Sequence, residues 1–148
     1  MPGLPKCPTQ SAVVGCVSHP RLQESFWAQL NGLAVGKKYK ITFYESNCGW
    51  APSYVGKTCQ WEVVLGKSRT KTTKLDISSK KWVETSVELV ASTATARFEM
   101  LASGGVGAGC NMCVCDIRFE RTDVDPSKGC PAPDKKEKAV SKYHPLTI

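Results

Sequence analysis

The sequence predicts an all-β protein, an antiparallel β-sandwich of the jelly-roll kind, and three observations carry that prediction. From Ser25 to Glu45 apolar and polar residues alternate in two runs: Phe26, Ala28 and Leu30 against Trp27 and Gln29, then Tyr39, Ile41 and Phe43 against Lys40, Thr42 and Tyr44. Alternation of that kind marks strands with one buried and one wet face, the habit of antiparallel sheets. Further alternating runs recur about every ten residues with turn residues between them, which suits sandwiches and jelly rolls rather than βα units. The eight cysteines form an even set that suits a disulfide framework.

Along the chain, residues 1–24 hold Pro2, Pro5, Pro8 and Pro20 and the pair Cys7 and Cys16, and only Ala12 to Val17 can make a strand. This reads as a cysteine-bearing N-terminal arm. The runs from Ser25 to Glu45, with Gly32 and Gly36 bracketing the turn, predict a hairpin. Asn47 to Thr58 is a loop with Gly49, Pro52 and Gly56, flanked by Cys48 and Cys59. Trp61, Val63 and Leu65 face inward on a third strand that ends at Gly66, and Arg69 to Leu75 continues as a Thr-rich fourth. Lys81 to Val90 is a fifth strand, with Val83, Val87 and Leu89 on one side. Thr95 to Leu101 is a sixth, with Ala96, Phe98 and Met100 inward. Met112 to Arg121 is a seventh, with Ile117 and Phe119 inward. The sandwich is thus expected over 25–121, and 122–148, with Pro126, Pro131 and Pro133 followed by Lys135, Lys136 and Lys138, reads as a tail or linker.

Length, cysteines and charge bound the function. A chain of 148 residues is long enough for one core of ordinary size. No apolar run reaches the roughly 18 residues that span a bilayer. Disulfides predict an extracellular, secreted location. The start Met-Pro-Gly-Leu-Pro-Lys has no signal-peptide core, so Met1 is expected not to be the native start.

The order Trp-Ala-Gln-Leu-x-Gly-Leu-x-x-Gly-Lys-x-Tyr-x-Ile-Thr-Phe (Trp27 to Phe43), Lys-Lys-Trp-Val-Glu-Thr (Lys80 to Thr85) and Cys-Asp-Ile-Arg-Phe (Cys115 to Phe119) resembles the galactose-binding-like jelly rolls. Within them it is most similar to the carbohydrate-binding modules of families 4 and 9 and to plant cell-wall proteins carrying a related domain of unknown function. The resemblance implies a non-catalytic glycan-binding domain. It also implies a structural calcium near the end of the last strand, for which Asp116 is the matching ligand, although the usual upstream partners have no match here. These relatives open with one or two further strands before the segment matching Ser25, so the resemblance implies a sheet short of a strand. No other cofactor is expected.

Sugar recognition needs flat apolar surfaces for pyranose faces and directional polar groups for hydroxyls. Trp50 and Tyr54, in the loop between Cys48 and Cys59, are the first candidates, with Asn47 beside them. Trp50 could equally cap one end of the core. Trp27, Gln29, Thr42 and Tyr44 are expected to share the wet face of the hairpin and form the second choice, unless Trp27 packs under the arm. Trp61 is expected in the core by its register with Val63 and Leu65. The resemblance implies that Trp82 packs beneath a sheet edge.

Lys67, Arg69 and Lys71 have the spacing of one strand face in a segment with six basic and one acidic side chain, within a formal net charge of +7. Such a stripe could hold an acidic polysaccharide or a protein partner, or simply guard a sheet edge against aggregation. Nucleic acid is not expected, since no reader motif occurs. Cys110, Cys113, Cys115 and Cys130 could suggest zinc. On one strand face about 7 Å apart, however, Cys113 and Cys115 suit disulfides with different partners better. Proximity in sequence suggests the pairs Cys7 with Cys16 and Cys48 with Cys59. Catalysis is not expected: His19 and His144 lie in the arm and tail, and Glu45, Glu62, Glu84, Glu88 and Glu99 are read as scattered on exposed strand positions. The functional expectation is an extracellular carbohydrate-binding module, with a structural or adhesion domain as the alternative.

Overall fold

In a computed structural model of the protein, the described residues are 6–10, 13–18, 24–47, 58–76, 81–103 and 110–124. They form nine strands: β1 (Val13–Ser18), β2 (Ser25–Leu30), β3 (Lys38–Asn47), β4 (Thr58–Leu65), β5 (Ser68–Lys71), β6 (Leu75–Asp76), β7 (Val83–Val90), β8 (Ala96–Ser103) and β9 (Cys110–Arg121). One sheet has the order β1-β9-β3-β7 and the other β2-β8-β4-β5, with β6 paired to β4. Every pairing is antiparallel. The interleaved order is consistent with a jelly roll. Among the described residues no helix is long and apolar enough to cross a membrane.

Alternation builds the core as expected. Ile41 and Phe43 of β3, Trp61, Val63 and Leu65 of β4, and Phe98 and Met100 of β8 all turn inward and lose their solvent exposure. Phe119 of β9 meets Phe98 edge-on at 4.9 Å across the two sheets, and Phe26 meets Trp61 in the same way at 5.9 Å. Trp82, just ahead of β7, is half-buried.

The first correction concerns the predicted hairpin. β2 pairs with β8, whereas β3 pairs with β7 and β9, so the two strands lie in different sheets. Two one-sided strands joined by a short link can lie side by side or face each other across a core about 10 Å thick, and alternation cannot tell these apart. Here residues 31–37 make the crossing. Leu33 donates its N–H to the Ala94 carbonyl (2.9 Å) and Gly36 donates to Ala91 (2.7 Å), which pins the link to the turn between β7 and β8. Gly36 has φ +76°, a conformation an L side chain adopts only at a cost. A true hairpin occurs instead at β4 and β5, where Gly66 (φ +60°) and Lys67 form a two-residue turn between the paired Leu65 and Ser68.

The second correction concerns the arm. β1 pairs with β9 along its length and supplies an edge strand of the first sheet, so the sheet is not short in the way the resemblance implied. Cys7 is joined to Cys115, not to Cys16. Alternation fails at the start of β9, where residues 111–115 are all buried. The inner side packs on the core, and the Cys7–Cys115 bridge brings the arm against the outer side. Cys59 and Cys113 are also disulfide-bonded, so Cys113 and Cys115 take different partners as predicted, and neither offers a thiolate to a metal. Cys48 and Cys130, and the side chains of Cys16 and Cys110, lie outside the described residues.

Glu45 is corrected as well. It is 1% exposed, not a surface carboxylate, because it continues the inward series Ile41, Phe43, Glu45 on β3. Thr85 donates to its Oε1 (2.6 Å) and Thr72 to its Oε2 (3.1 Å), while Thr72 accepts the N–H of Trp61 (2.9 Å). The cluster ties β3 and β7 of one sheet to β4 of the other. Burial raises the Glu45 pKa, and the two hydroxyl hydrogen bonds oppose the rise only in part. With the folded pKa above the unfolded one, the group's contribution is complete below about pH 4, the unfolded carboxylate range, and is lost as pH rises through the folded value. Glu45→Gln keeps the shape without the charge. Its stability relative to the parent is therefore expected to improve as pH rises from about 4 through the raised pKa of the folded carboxyl and to level off above it in urea unfolding, and a difference independent of pH would refute this account.

Candidate functional site

The sandwich has two outer faces, and the corrected topology divides the candidate residues between them. On the second sheet, the register places Trp27 opposite Glu99, which in turn lies opposite Val64. Gln29 lies opposite Arg97, and Ser25 opposite Leu101. Inward alternation of Ala96, Phe98 and Met100 forces Arg97, Glu99 and Leu101 to the outer side. Trp27 is 57% exposed, the largest side chain among the exposed hydrophobic residues of the described chain, so it does not pack under the arm.

Its surroundings are polar and fixed. The Arg97 guanidinium lies 4.5 Å from the centroid of the Trp27 ring. Arg97 Nη2 donates to Glu99 Oε1 (3.0 Å), and Ser25 Oγ donates to the same oxygen (2.7 Å). Strands rather than loops carry all four residues, so indole, guanidinium and carboxylate are held with little freedom to lose on binding. The sequence reading chose Trp27 and Gln29 but missed Ser25, Arg97 and Glu99. The outward position of Arg97 and Glu99 was readable from the alternation of β8, but their place beside Trp27 depends on the pairing of strands some seventy residues apart.

On the opposite face, the register sets Tyr44 across from Glu84 of β7, and Thr42 across from both Ser86 of β7 and Arg118 of β9. Tyr44 and Thr42 therefore cannot act on one surface with Trp27, as predicted for a shared hairpin face. Tyr44 is half-buried, and its phenol is hydrogen-bonded to Glu84, which chiefly raises its pKa.

Other candidates fare differently. Asn47 is 1% exposed, and its Nδ2 donates to the Leu75 carbonyl (3.0 Å), so it ties β3 to β6 rather than meeting a ligand at the surface. Trp50 and Tyr54 lie outside the described residues. Asp116 is paired with Arg118 (3.3 Å), and among the described residues no group of three metal-binding side chains gathers around it or elsewhere. Of the basic stripe, Lys67 sits in the β4–β5 turn, while Arg69 and Lys71 lie on β5 at the edge of the second sheet. Arg69 pairs with Glu62 (3.1 Å), and Lys71 lies opposite Glu62 in register, so one carboxylate offsets part of the stripe's charge.

No protein-family model matches the chain, and no curated protein matches it. Among solved structures the chain is similar to the EclA C-terminal domain, a sugar-binding protein, with a TM-score of 0.54 and 15% identity over 74% of this chain and 78% of that one. At that identity the likeness shows a shared β-rich fold.

Proposed function

We propose that the protein is a non-catalytic extracellular carbohydrate-binding module that holds a glycan on the outer face of its second sheet. Trp27 stacks on a sugar ring, and Gln29, Arg97 and Glu99 hydrogen-bond its hydroxyls. The observation that carries this reading is the exposure of Trp27 on a rigid strand beside fixed donors and acceptors. Showing an indole to water does little for the stability of a domain, whereas pyranose stacking uses an exposed aromatic ring. The sugar-binding description of the EclA domain supports the same reading, and the disulfides suit the extracellular location. Arg97 and Arg69 each already face a carboxylate, so the favoured ligand is a neutral glycan rather than an acidic one. Trp50 and Tyr54 are proposed to extend the contact.

The test is affinity electrophoresis of the oxidised protein against soluble neutral and acidic polysaccharides at low and high salt, with Trp27→Ala, Trp50→Ala and Tyr54→Ala alongside. Trp27→Ala is expected to weaken salt-resistant binding about thirtyfold, the effect of losing roughly 2 kcal/mol at an interface centre. It should lower stability by no more than about 1 kcal/mol, the scale of the exposed contact between its ring and Arg97. Binding only to acidic polymers, lost in salt and indifferent to Trp27, would move the function to Arg69 and Lys71. No binding to any polymer would leave the structural or adhesion role.

A further inference from the structure

We infer that the outer face of the first sheet carries a second, independent carbohydrate site centred on Tyr44 and Arg118, which makes the protein a cross-linker of two glycan chains. This rests on the carbohydrate reading above and goes beyond it in valency. The two faces belong to opposite sheets of the sandwich, so a chain bound at Trp27 and a chain bound at Tyr44 are separated by the core and cannot be one continuous contact.

The second face is assembled from three neighbouring strands. Arg118 of β9 reaches the carboxylates of Asp116 (3.3 Å) and Glu84 (3.8 Å), and the Tyr44 phenol is hydrogen-bonded to Glu84. Thr42 and Ser86 pair their hydroxyls at 2.9 Å in the next row. Partly exposed aromatic ring, planar donor fork, two acceptor carboxylates and two hydroxyls are the groups that match the faces and vicinal hydroxyls of a hexose. The guanidinium already lies between the carboxylates and offsets one of their two charges, which leaves an uncharged polyol a better match than a cation.

The backbone adds an independent sign. Between the pairs Thr42 with Arg118 and Tyr44 with Cys115, the two residues Asp116 and Ile117 oppose the single Phe43, forming a β-bulge in β9. Asp116 has φ +52°, a left-handed conformation that costs a non-glycine residue about 1 kcal/mol or more. Stability alone would favour glycine there, or regular pairing. The strained residue is the one whose carboxylate meets Arg118.

The experiment mixes the full oxidised chain with soluble β-glucan, xyloglucan, galactomannan and polygalacturonate. Electrophoretic retardation reads binding at either face, and light scattering reads cross-linking. Trp27→Ala, although about thirtyfold weaker in binding, and Arg118→Ala are each expected to keep a residual retardation by the same polymer through the other face yet lose its cross-linking, and the double variant to lose retardation at least a further tenfold. Arg118 is half-exposed, so its substitution leaves the fold intact; Tyr44→Phe, which keeps the ring and removes the hydroxyl, is expected to weaken cross-linking severalfold. Cross-linking unchanged in both Arg118→Ala and Tyr44→Phe would overturn the second site and leave the Trp27 reading standing. Complete loss of retardation in Trp27→Ala alone would also overturn it, by showing a single site. Absence of retardation by every polymer would overturn both.

Discussion

Trp61→Ala is expected to lower the unfolding free energy by about 3–5 kcal/mol, the range for removing a buried aromatic ring whose cavity cannot fully collapse. For a domain whose whole stability is of order 5–15 kcal/mol, that is at least about a fifth of the total. Trp61 is 0% exposed in the middle of β4, meets Phe26 of β2 edge-on, and donates its backbone N–H to Thr72, the residue that binds Glu45. Truncation thus removes the contact between two strands of the second sheet and loosens the polar cluster that joins the sheets. Trp61→Phe separates the contributions. Among the described residues the buried indole Nε1 has no hydrogen-bond partner, a state that costs roughly 1–3 kcal/mol, so phenylalanine removes that penalty while it opens a smaller cavity. Its net cost is expected near 1 kcal/mol. Denaturant titration followed by far-ultraviolet circular dichroism reads both. A Trp61→Ala loss below about 1 kcal/mol would show that the core does not depend on this ring.

What the sequence made legible follows from the range over which each signal acts. The alternation along single strands is local, and it correctly placed Ile41, Phe43, Trp61, Val63, Phe98 and Phe119 inward. Carried two residues further it would also have placed Glu45 inward, but a carboxylate was read as exposed by type rather than by register. Pairing between strands is not local. The alternation of Ser25 to Glu45 gave no hint that β2 joins β8 while β3 joins β7 and β9, because a facing pair and a side-by-side pair bury the same residues. That single ambiguity merged Trp27 with Tyr44 and hid Arg97 and Glu99 as the neighbours of the indole. Disulfide pairing fails for the same reason: proximity in sequence suggested Cys7 with Cys16, whereas the fold brings together residues 108 apart. The bulge at Asp116 left no mark either, since no glycine signals its left-handed conformation.

The double variant Cys7→Ala, Cys115→Ala is expected to lose about 2–5 kcal/mol, the range for removing a native disulfide from a small domain. In the chain-entropy account the loss grows with the logarithm of the loop closed, and this bridge spans 108 residues, most of the sandwich. The disulfides at Cys59 and Cys113 still restrain the unfolded chain of the variant, so the expected loss lies in the lower half of that range. Removing both sulfurs matters, because a lone thiol left at either position could exchange with the other bridges whenever the chain opens. The functional consequence is uneven. Cys115 sits on β9 immediately before the bulged Asp116, in the sheet that carries Tyr44 and Arg118, whereas Trp27 stands on a sheet that does not contain β9. At temperatures where the variant is still folded, cross-linking should therefore decline before retardation does, while the parent loses the two together at its unfolding transition. Equal losses in the variant would show that the bridge holds the whole sandwich and does not act locally on the bulge.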